Sequence, residues 1–255
     1  MVNGFLNEKI PGYVMGYVMG YVPGYVPGYV MGYVPTTYIA TFFPDSFFYI
    51  TKSHSKSSQS TNLIKGFDQT RKLFVVYDRI STIPNGLVLS NPALNSMSIE
   101  NAGGNSSISE MMSIELYSRI FDATDFLFEM QINYRYEYNM VDYICSIDNK
   151  RVGVSVTRAM GYPREYNFDS TSALRLLRKK LHGLIIARNS VNKKQRFFRS
   201  VLHIWCQSSR IANLINKAYK SFDVDDYGLD IKGYLILHLT VCSDDYIYNN
   251  TFTFN

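Results

Sequence analysis

The chain has 255 residues and a net charge of +5, with 18% charged and 15% aromatic residues, and 21 Tyr against a single Trp. So aromatic and lightly charged a composition excludes a chain that stays disordered throughout, and the length suffices for one large domain or a medium one with appendages. Cys145, Cys206 and Cys242 are odd in number, widely spaced and without a CxxC pair, which excludes a disulfide framework or a zinc ribbon and implies a reducing, intracellular setting, cytoplasmic or nuclear.

From Pro11 to Val34 a four-residue unit, GYV with Met or Pro, runs in six tandem copies, and no charge occurs between Ile10 and Asp45. The glycines fall at the spacing of packed membrane helices. Pro23 and Pro27, however, remove backbone donors, and Tyr occupies positions where a span carries Leu or Ile. A secretory signal would need a positive region and a compact apolar core, which this run lacks. Residues 1–35 are therefore expected to be low-complexity and flexible, a series of Pro-Gly turns with no membrane attachment.

Residues 36–104 form a strand-rich segment and linker. Thr37–Phe43, Phe47–Thr51 and Leu73–Ile80 carry the β-branched and aromatic residues of strands. Ser53–Asn62 is a polar loop, Pro84-Asn85-Gly86 a turn before a short return strand at Leu87-Val88-Leu89, and Asn101–Asn105 a linker.

Residues 105–248 carry the clearest pattern. Ser107-x-x-Glu110 has the form of a capping box, opening a helix to about Phe121 with an apolar stripe at Ile108, Met111, Met112, Leu116 and Ile120. Strands are expected at Phe126–Ile132, Val141–Ile147 and Arg151–Thr157, the last two joined through Asp148-Asn149-Lys150, with Val152, Val154 and Val156 on one face. A helix at Thr171–Ala187, a strand at Phe197–Trp205, a helix at Ser208–Ser221 and a strand at Tyr234–Val241 follow. The expected fold class is α/β, a mixed sheet flanked by helices in the order αβββαβαβ.

Charge is concentrated within this region. Ser170 to Phe222 contains twelve Lys and Arg residues and no Asp or Glu. A one-sided positive field of this kind attracts polyanions, which makes nucleic acid the expected partner; a solvated helix face with a basic loop has the same composition. Arg175, Arg178, Lys179, Lys180, Lys193 and Lys194 are the candidate phosphate contacts. Tyr134, Tyr136 and Tyr138 alternate along a strand-like run, which suits either base stacking or core packing. His54, His182, His203 and His238 show no metal-ligand spacing, and no P-loop or nucleophile elbow is present.

The placement of carboxylates on this element order resembles the PD-(D/E)XK nuclease superfamily, the restriction-endonuclease-like fold, over roughly residues 107–241. The matching positions are a helical acid, Glu115 with Glu110 second, a strand acid, Asp142, and a third-strand motif at Ser155-Val156-Thr157. The resemblance implies a Mg²⁺ ion held by Glu115 and Asp142 and phosphodiester hydrolysis, with Glu115, Asp142, Ser155 and Lys179 as catalytic residues. The sequence departs from the pattern in having Ser155 in place of an acid and Thr157 in place of a lysine, with Arg158 one position too far. Arg175, Lys179 or Lys180 of the following helix would then supply the positive charge. Two readings stand: a nucleic-acid-contacting nuclease-like protein, or a non-enzymatic interaction protein on the same scaffold.

Overall fold

The structure, a computed structural model, describes residues 39–42, 48–52, 74–82, 89–99, 106–136, 140–221 and 235–249. The GYV repeat, the polar loop, the Pro84–Gly86 turn, the Asn101–Asn105 linker and Tyr138 lie outside them.

Eight strands build one sheet: β1 Ile39–Phe42, β2 Phe48–Lys52, β3 Phe74–Thr82, β4 Thr124–Phe128, β5 Tyr143–Ile147, β6 Lys150–Ala159, β7 Arg199–Cys206 and β8 Leu235–Val241. Five helices accompany them: α1 Asn91–Ser98, α2 Ser107–Ile120, α3 Ser170–Ser190, α4 Ser209–Lys220 and α5 Asp245–Asn249. The strand order is β1-β2-β3-β8-β7-β6-β5-β4. The four central strands run parallel, and an antiparallel pair flanks them at each edge. A mixed α/β sheet is thus what the chain forms, and from α2 to β8 its elements come in the order the sequence predicts, with the short α5 added after them. The N-terminal strands join the same sheet, since β3 pairs in register with β8 from Phe74↔Ile236 to Arg79↔Val241.

Alternation divides the core into two layers. Val152, Val154 and Val156 of β6 and Val201 and Trp205 of β7 pack against α2, with α1 and α5 beside it. Leu202 and Ile204 of β7 and Leu237 and Leu239 of β8 pack against Leu177, Leu181 and Leu184 of α3 and Ile211 and Ile215 of α4. Every residue of β7 and β8 is buried, as befits parallel strands covered on both faces. The β5–β6 hairpin turns on Asp148 and Asn149, both with positive φ, a conformation these two residue types tolerate better than most.

Three differences from expectation have local causes. The strand predicted to reach Ile132 ends at Phe128, because a register shift follows Thr124, Asp125 takes a positive φ, and a 3₁₀ turn at Glu129–Gln131 lets the Gln131 side chain accept the Phe128 N–H. Helix α1 was not expected. It begins at Ser90-Asn91-Pro92, where Pro fits the first turn because no intrahelical donor is needed there. The α2 cap sits one residue earlier than predicted. Ser106 is the N-cap, and its hydroxyl donates to the Glu110 carboxylate.

Beneath α2 the core is polar. Ser113 Oγ is 2.8 Å from Tyr143 OH and 2.7 Å from His203 Nδ1. The opposite ring nitrogen, Nε2 of His203, lies 2.9 Å from Thr240 Oγ1, and Tyr117 OH lies 2.9 Å from His238 Nδ1. His203 and His238 are register partners on β7 and β8, and their rings stack at 4.5 Å. Trp205 Nε1 donates to the Ser109 carbonyl at 3.0 Å. Each group finds a partner, as burial requires. Of the three histidines on apolar segments, expected from sequence to be core residues, His203 and His238 are fully buried, whereas His182 is exposed on α3, because its helical phase turns it away from Leu177, Leu181 and Leu184.

Burial, together with His238, holds the His203 imidazole well below the usual 6.5. The unfolded chain takes up a proton near that pH and the folded chain does not, so this contribution to stability is complete above pH 6.5 and is lost as pH falls below it. In NMR spectra the His203 ring should keep its neutral-form nitrogen shifts as pH falls through 6.5, where a free imidazole is half protonated. Ser113→Ala, which takes a partner from both His203 and Tyr143, should cost about 1–3 kcal/mol in urea unfolding.

Candidate functional site

The site grows from a mismatch in strand length. At the end where β5 starts, β6 runs on for five more residues, because the hairpin register pairs Tyr143 with Val154 while β6 continues to Ala159. Asp142, just ahead of β5, makes the last backbone bond, its N–H donating to the Val154 carbonyl at 3.0 Å. The next pair of backbone groups on that side belongs to Val156. Its N–H donates to Asp142 Oδ2 at 2.6 Å, and its carbonyl accepts from Lys180 Nζ of α3 at 3.2 Å. A carboxylate and an ammonium thus occupy the place of a missing strand.

Glu110, in the first turn of α2, faces the same place. A cavity of about 20 Å³ is lined by Ser96 and Ile99 at the end of α1, Ser107, Glu110 and Ile114 of α2, Phe128, Glu129 and Asp142. That is room for a single water or a bare ion. Burial first, then the Asp142 charge, pushes the Glu110 carboxyl up to about 7, with Glu129 acting in the same sense and Ser106 and Lys180 opposing. Arg158 also acts on this cluster: its guanidinium donates to the Tyr248 carbonyl of α5 at 2.9 Å, and its pKa is lowered by burial and raised by Glu110. Burial, Asp142 and Glu129 together push Tyr134 up to about 12, against the opposing hydrogen bond from the Val141 N–H.

Of the sequence-predicted acids, the structure brings Asp142 to this cavity and leaves Glu115 out of it. Glu115 is fully buried, and its two oxygens accept from Arg119 Nε at 3.0 Å and from the Ser90 N–H at 2.8 Å. It ties α1 to α2. Five helical positions, a rotation of about 140°, separate it from Glu110, so one helix cannot aim both at the same spot. Ser155 is buried on the α3 side of β6, not among the cavity residues. Lys179, Arg175 and Arg178 are exposed on α3; it is Lys180 that turns inward. Lys193 and Lys194 are exposed in a 3₁₀ turn, and the Lys194 carbonyl accepts from Arg151. Sequence reasoning ranked Glu110 second because capping explained it, and it passed over Glu129. Helical phase gave no signal for Glu110, which falls nearly opposite the apolar stripe of Ile108, Met111, Met112, Leu116 and Ile120, whereas Glu115 falls within it.

Both oxygens of Glu115 are taken, by Arg119 and by the Ser90 N–H, and it lies outside the cavity that Glu110 and Asp142 line. Among the described residues no group of three His, Cys, Asp or Glu side chains is arranged to hold a metal ion. No described helix is long and apolar enough to cross a membrane.

The two glutamates should respond to mutation in opposite senses. A raised Glu110 pKa means the folded chain binds a proton more tightly than the unfolded chain, so its charge opposes folding above about pH 7 and that opposition disappears as pH falls to 4.5. Glu110→Gln should therefore stabilise at pH 8, by on the order of 3 kcal/mol, and the gain should vanish near pH 4.5 in urea titrations. Glu115→Gln should cost about 2 kcal/mol, less than a fully buried pair because the Arg119 side chain is 25% exposed.

No family model matches the chain, and no solved structure matches it. Over 149 residues it is 31% identical to the AAC-rich mRNA clone AAC4 protein of Dictyostelium discoideum, a match covering 56% of this chain and 22% of that protein. The chain thus spans about a fifth of the curated relative's length.

Proposed function

We propose that this chain contacts nucleic acid through a nuclease-like α/β domain of PD-(D/E)XK type, with its basic helical layer on the phosphate backbone. The observation that carries this reading is the charge of that layer. Arg175, Arg178 and Lys179 on α3, Lys193, Lys194 and Arg196 in the following turn, and Lys217 and Lys220 on α4 are all exposed, and no acid occurs from Ser170 to Phe222. Phosphates neutralised by such a row release counterions, which makes binding strong at low salt and steeply salt-dependent.

The cavity at the fork between β5 and β6 supports the nuclease-like half of the reading. Glu110 and Asp142 would hold a Mg²⁺ ion, which when bound would polarise a phosphoryl oxygen and acidify a water. Lys180 stands where a positive charge offsets charge gathering on phosphate, and Asp142 keeps it near by sharing Val156 with it. Glu110 near its titration midpoint at neutral pH can hold or release a proton. Ser155 and Thr157 of the third-strand motif carry no charge and lie on the opposite face of β6 from Glu110, so the motif adds neither acid nor lysine to the fork, which favours binding over rapid hydrolysis and supports the second reading, a non-enzymatic interaction protein on the same scaffold.

Fluorescence anisotropy with labelled duplex and single-stranded DNA and RNA, across a salt series, tests the binding claim. The double variant Arg178→Ala/Lys179→Ala should weaken binding and lower the salt slope by about 2. A wild-type chain that binds none of these at low salt would sink the reading. Incubation with Mg²⁺ tests hydrolysis separately: cleavage should be slow and vanish in Asp142→Ala. If that variant cleaves like wild type, the fork is not the reacting centre.

A further inference from the structure

After β6 the chain does not pass directly to α3. It folds back through Met160–Asn167, including a 3₁₀ turn at Glu165–Asn167, and this loop is braced from several sides. The Gly161 N–H donates to Gln207 Oε1 at 3.2 Å, and Asn167 Nδ2 donates to the Tyr162 carbonyl at 2.9 Å. The Arg210 guanidinium, from the first turn of α4, donates to the carbonyls of Phe168 at 3.1 Å and Tyr166 at 3.3 Å. Gly161 is required by close approach: a Cβ there would come within 2.3 Å of the Arg164 carbonyl and 2.4 Å of the Glu165 carbonyl.

What this braced backbone displays is aromatic. Tyr162 is 82% and Tyr166 63% exposed, four residues apart, although nearly all the large apolar side chains of β5 to β8 are buried. Arg164 lies between them in sequence. Its guanidinium carbon is 5.9 Å from the Tyr166 ring centroid, and its Nη1 donates to Tyr166 OH at 3.3 Å. The acids of the loop are engaged internally. Glu165 accepts from Ser208 Oγ at 2.5 Å, and Asp169 caps α3 by accepting the Ser172 N–H at 2.7 Å. Both carboxylates keep their charge, but Arg210 lies 4.0 Å from Glu165, and Arg164, Arg175 and Arg178 outnumber Asp169, so the stretch is positive on balance. Gly161 is five residues past Val156, so the loop starts at most about 17 Å along the chain from the fork.

We propose that Tyr162 and Tyr166 form a stacking platform for the bases of single-stranded nucleic acid, with Arg164, and Arg175 and Arg178 of α3, on its phosphates. The proposal rests on the nucleic-acid reading above and adds to it a substrate class and the residues that select it. Rigid, exposed aromatic rings bordered by cations are how sequence-tolerant single-strand sites capture bases, since every base has a π-face. Paired bases in a duplex keep their faces stacked on one another, so the platform discriminates strand state. Tyr136, 70% exposed, lies next to the bridge that joins Tyr134 to Val191 and borders residues 137–139, which are outside the described ones.

The test uses the full chain and two fluorescein-labelled probes, an oligothymidylate of about 20 nucleotides and a blunt hairpin duplex of similar charge. Tyr162→Ala/Tyr166→Ala should raise the single-strand Kd by roughly thirtyfold or more and leave the duplex Kd within about twofold. Tyr162→Phe/Tyr166→Phe, which keeps the rings, should bind single strands like wild type. Circular dichroism melts of all variants should coincide, because neither ring is packed in the core. If the alanine variant binds oligothymidylate as tightly as wild type, the platform is refuted while the broader nucleic-acid reading survives. Equal losses on both probes also refute it, by assigning the loop to phosphates. If wild type binds neither probe, both readings fall together. If sedimentation shows a dimer that the alanine variant breaks, the surface belongs to a second copy of this chain and the proposal is overturned.

Discussion

Strand β6 extends past the point where its neighbour β5 begins, and the backbone groups of Val156 must be satisfied without a strand to pair with. An unpaired, buried amide or carbonyl costs as much as a lost hydrogen bond, so this edge needed partners of some kind. The chain supplies them as side chains of opposite charge, Asp142 from the strand entrance and Lys180 from the helix on the far face of the sheet. That choice fixes the rest of the site. Lys180 has to come around the end of the sheet to reach the Val156 carbonyl, and its charge then registers at Glu110, across from the helix it comes from. Two layers that would otherwise be separated by the sheet meet at this fork.

The position of Glu110 depends in turn on how α2 is seated. Fourteen residues of helix with only a weak polar face would slide or rotate on an oily surface at little cost, because hydrophobic contact is non-directional. The polar bonds beneath it are directional. Ser113 to Tyr143 and His203, Tyr117 to His238, and the Ser109 carbonyl to Trp205 attach the helix to β5, β7 and β8 at three points. With rotation fixed there, the first turn points Glu110 into the cavity and the next turns point Glu115 toward Ser90. Buried polar contacts of this kind add modest net stability but leave one orientation clearly preferred.

Much of this architecture was legible in the sequence because it rests on periodicity. The valine alternation of β6 and the leucine spacing of α3 express which face is buried, and both elements formed where that pattern placed them; the Ser-x-x-Glu signal marked the start of α2 to within one residue. The site was less legible, since it depends on phase within elements and on where neighbours stop. Choosing Glu115 over Glu110 treated capping and site roles as exclusive, whereas a carboxylate that accepts one hydroxyl still has lone pairs to face a cavity. Choosing Lys179 over Lys180 ignored that adjacent helical residues differ by about 100°, with Lys180 nearer the buried stripe of Leu177, Leu181 and Leu184. The β4 end was missed because a bulge and a positive φ at Asp125 break alternation, and one residue of slip reverses every later side chain. The Tyr162–Tyr166 loop has no periodic signature at all; its form comes from bonds to Gln207 and Arg210, some 45 residues further along the chain.

One residue separates the demands of folding from those of the cavity. The cap of α2 would be served as well by glutamine as by glutamate, for either side chain can accept the Ser106 hydroxyl, and glutamine adds no charge. Glutamate at position 110 stands partly buried beside Asp142, with Glu129 adding to the repulsion, and its ionised form works against the folded state at neutral and higher pH. Lys180 and Arg158 relieve that repulsion in part, yet the carboxyl still holds its proton to about 7. Helix start, strand edge and core packing are all satisfied without the second negative charge. The acid pair thus runs against the local interests of the fold, a conflict that marks functional positions more often than structural ones. A bound cation would convert the repulsion into shared coordination, so the same two side chains that weaken the empty fold would strengthen the loaded one.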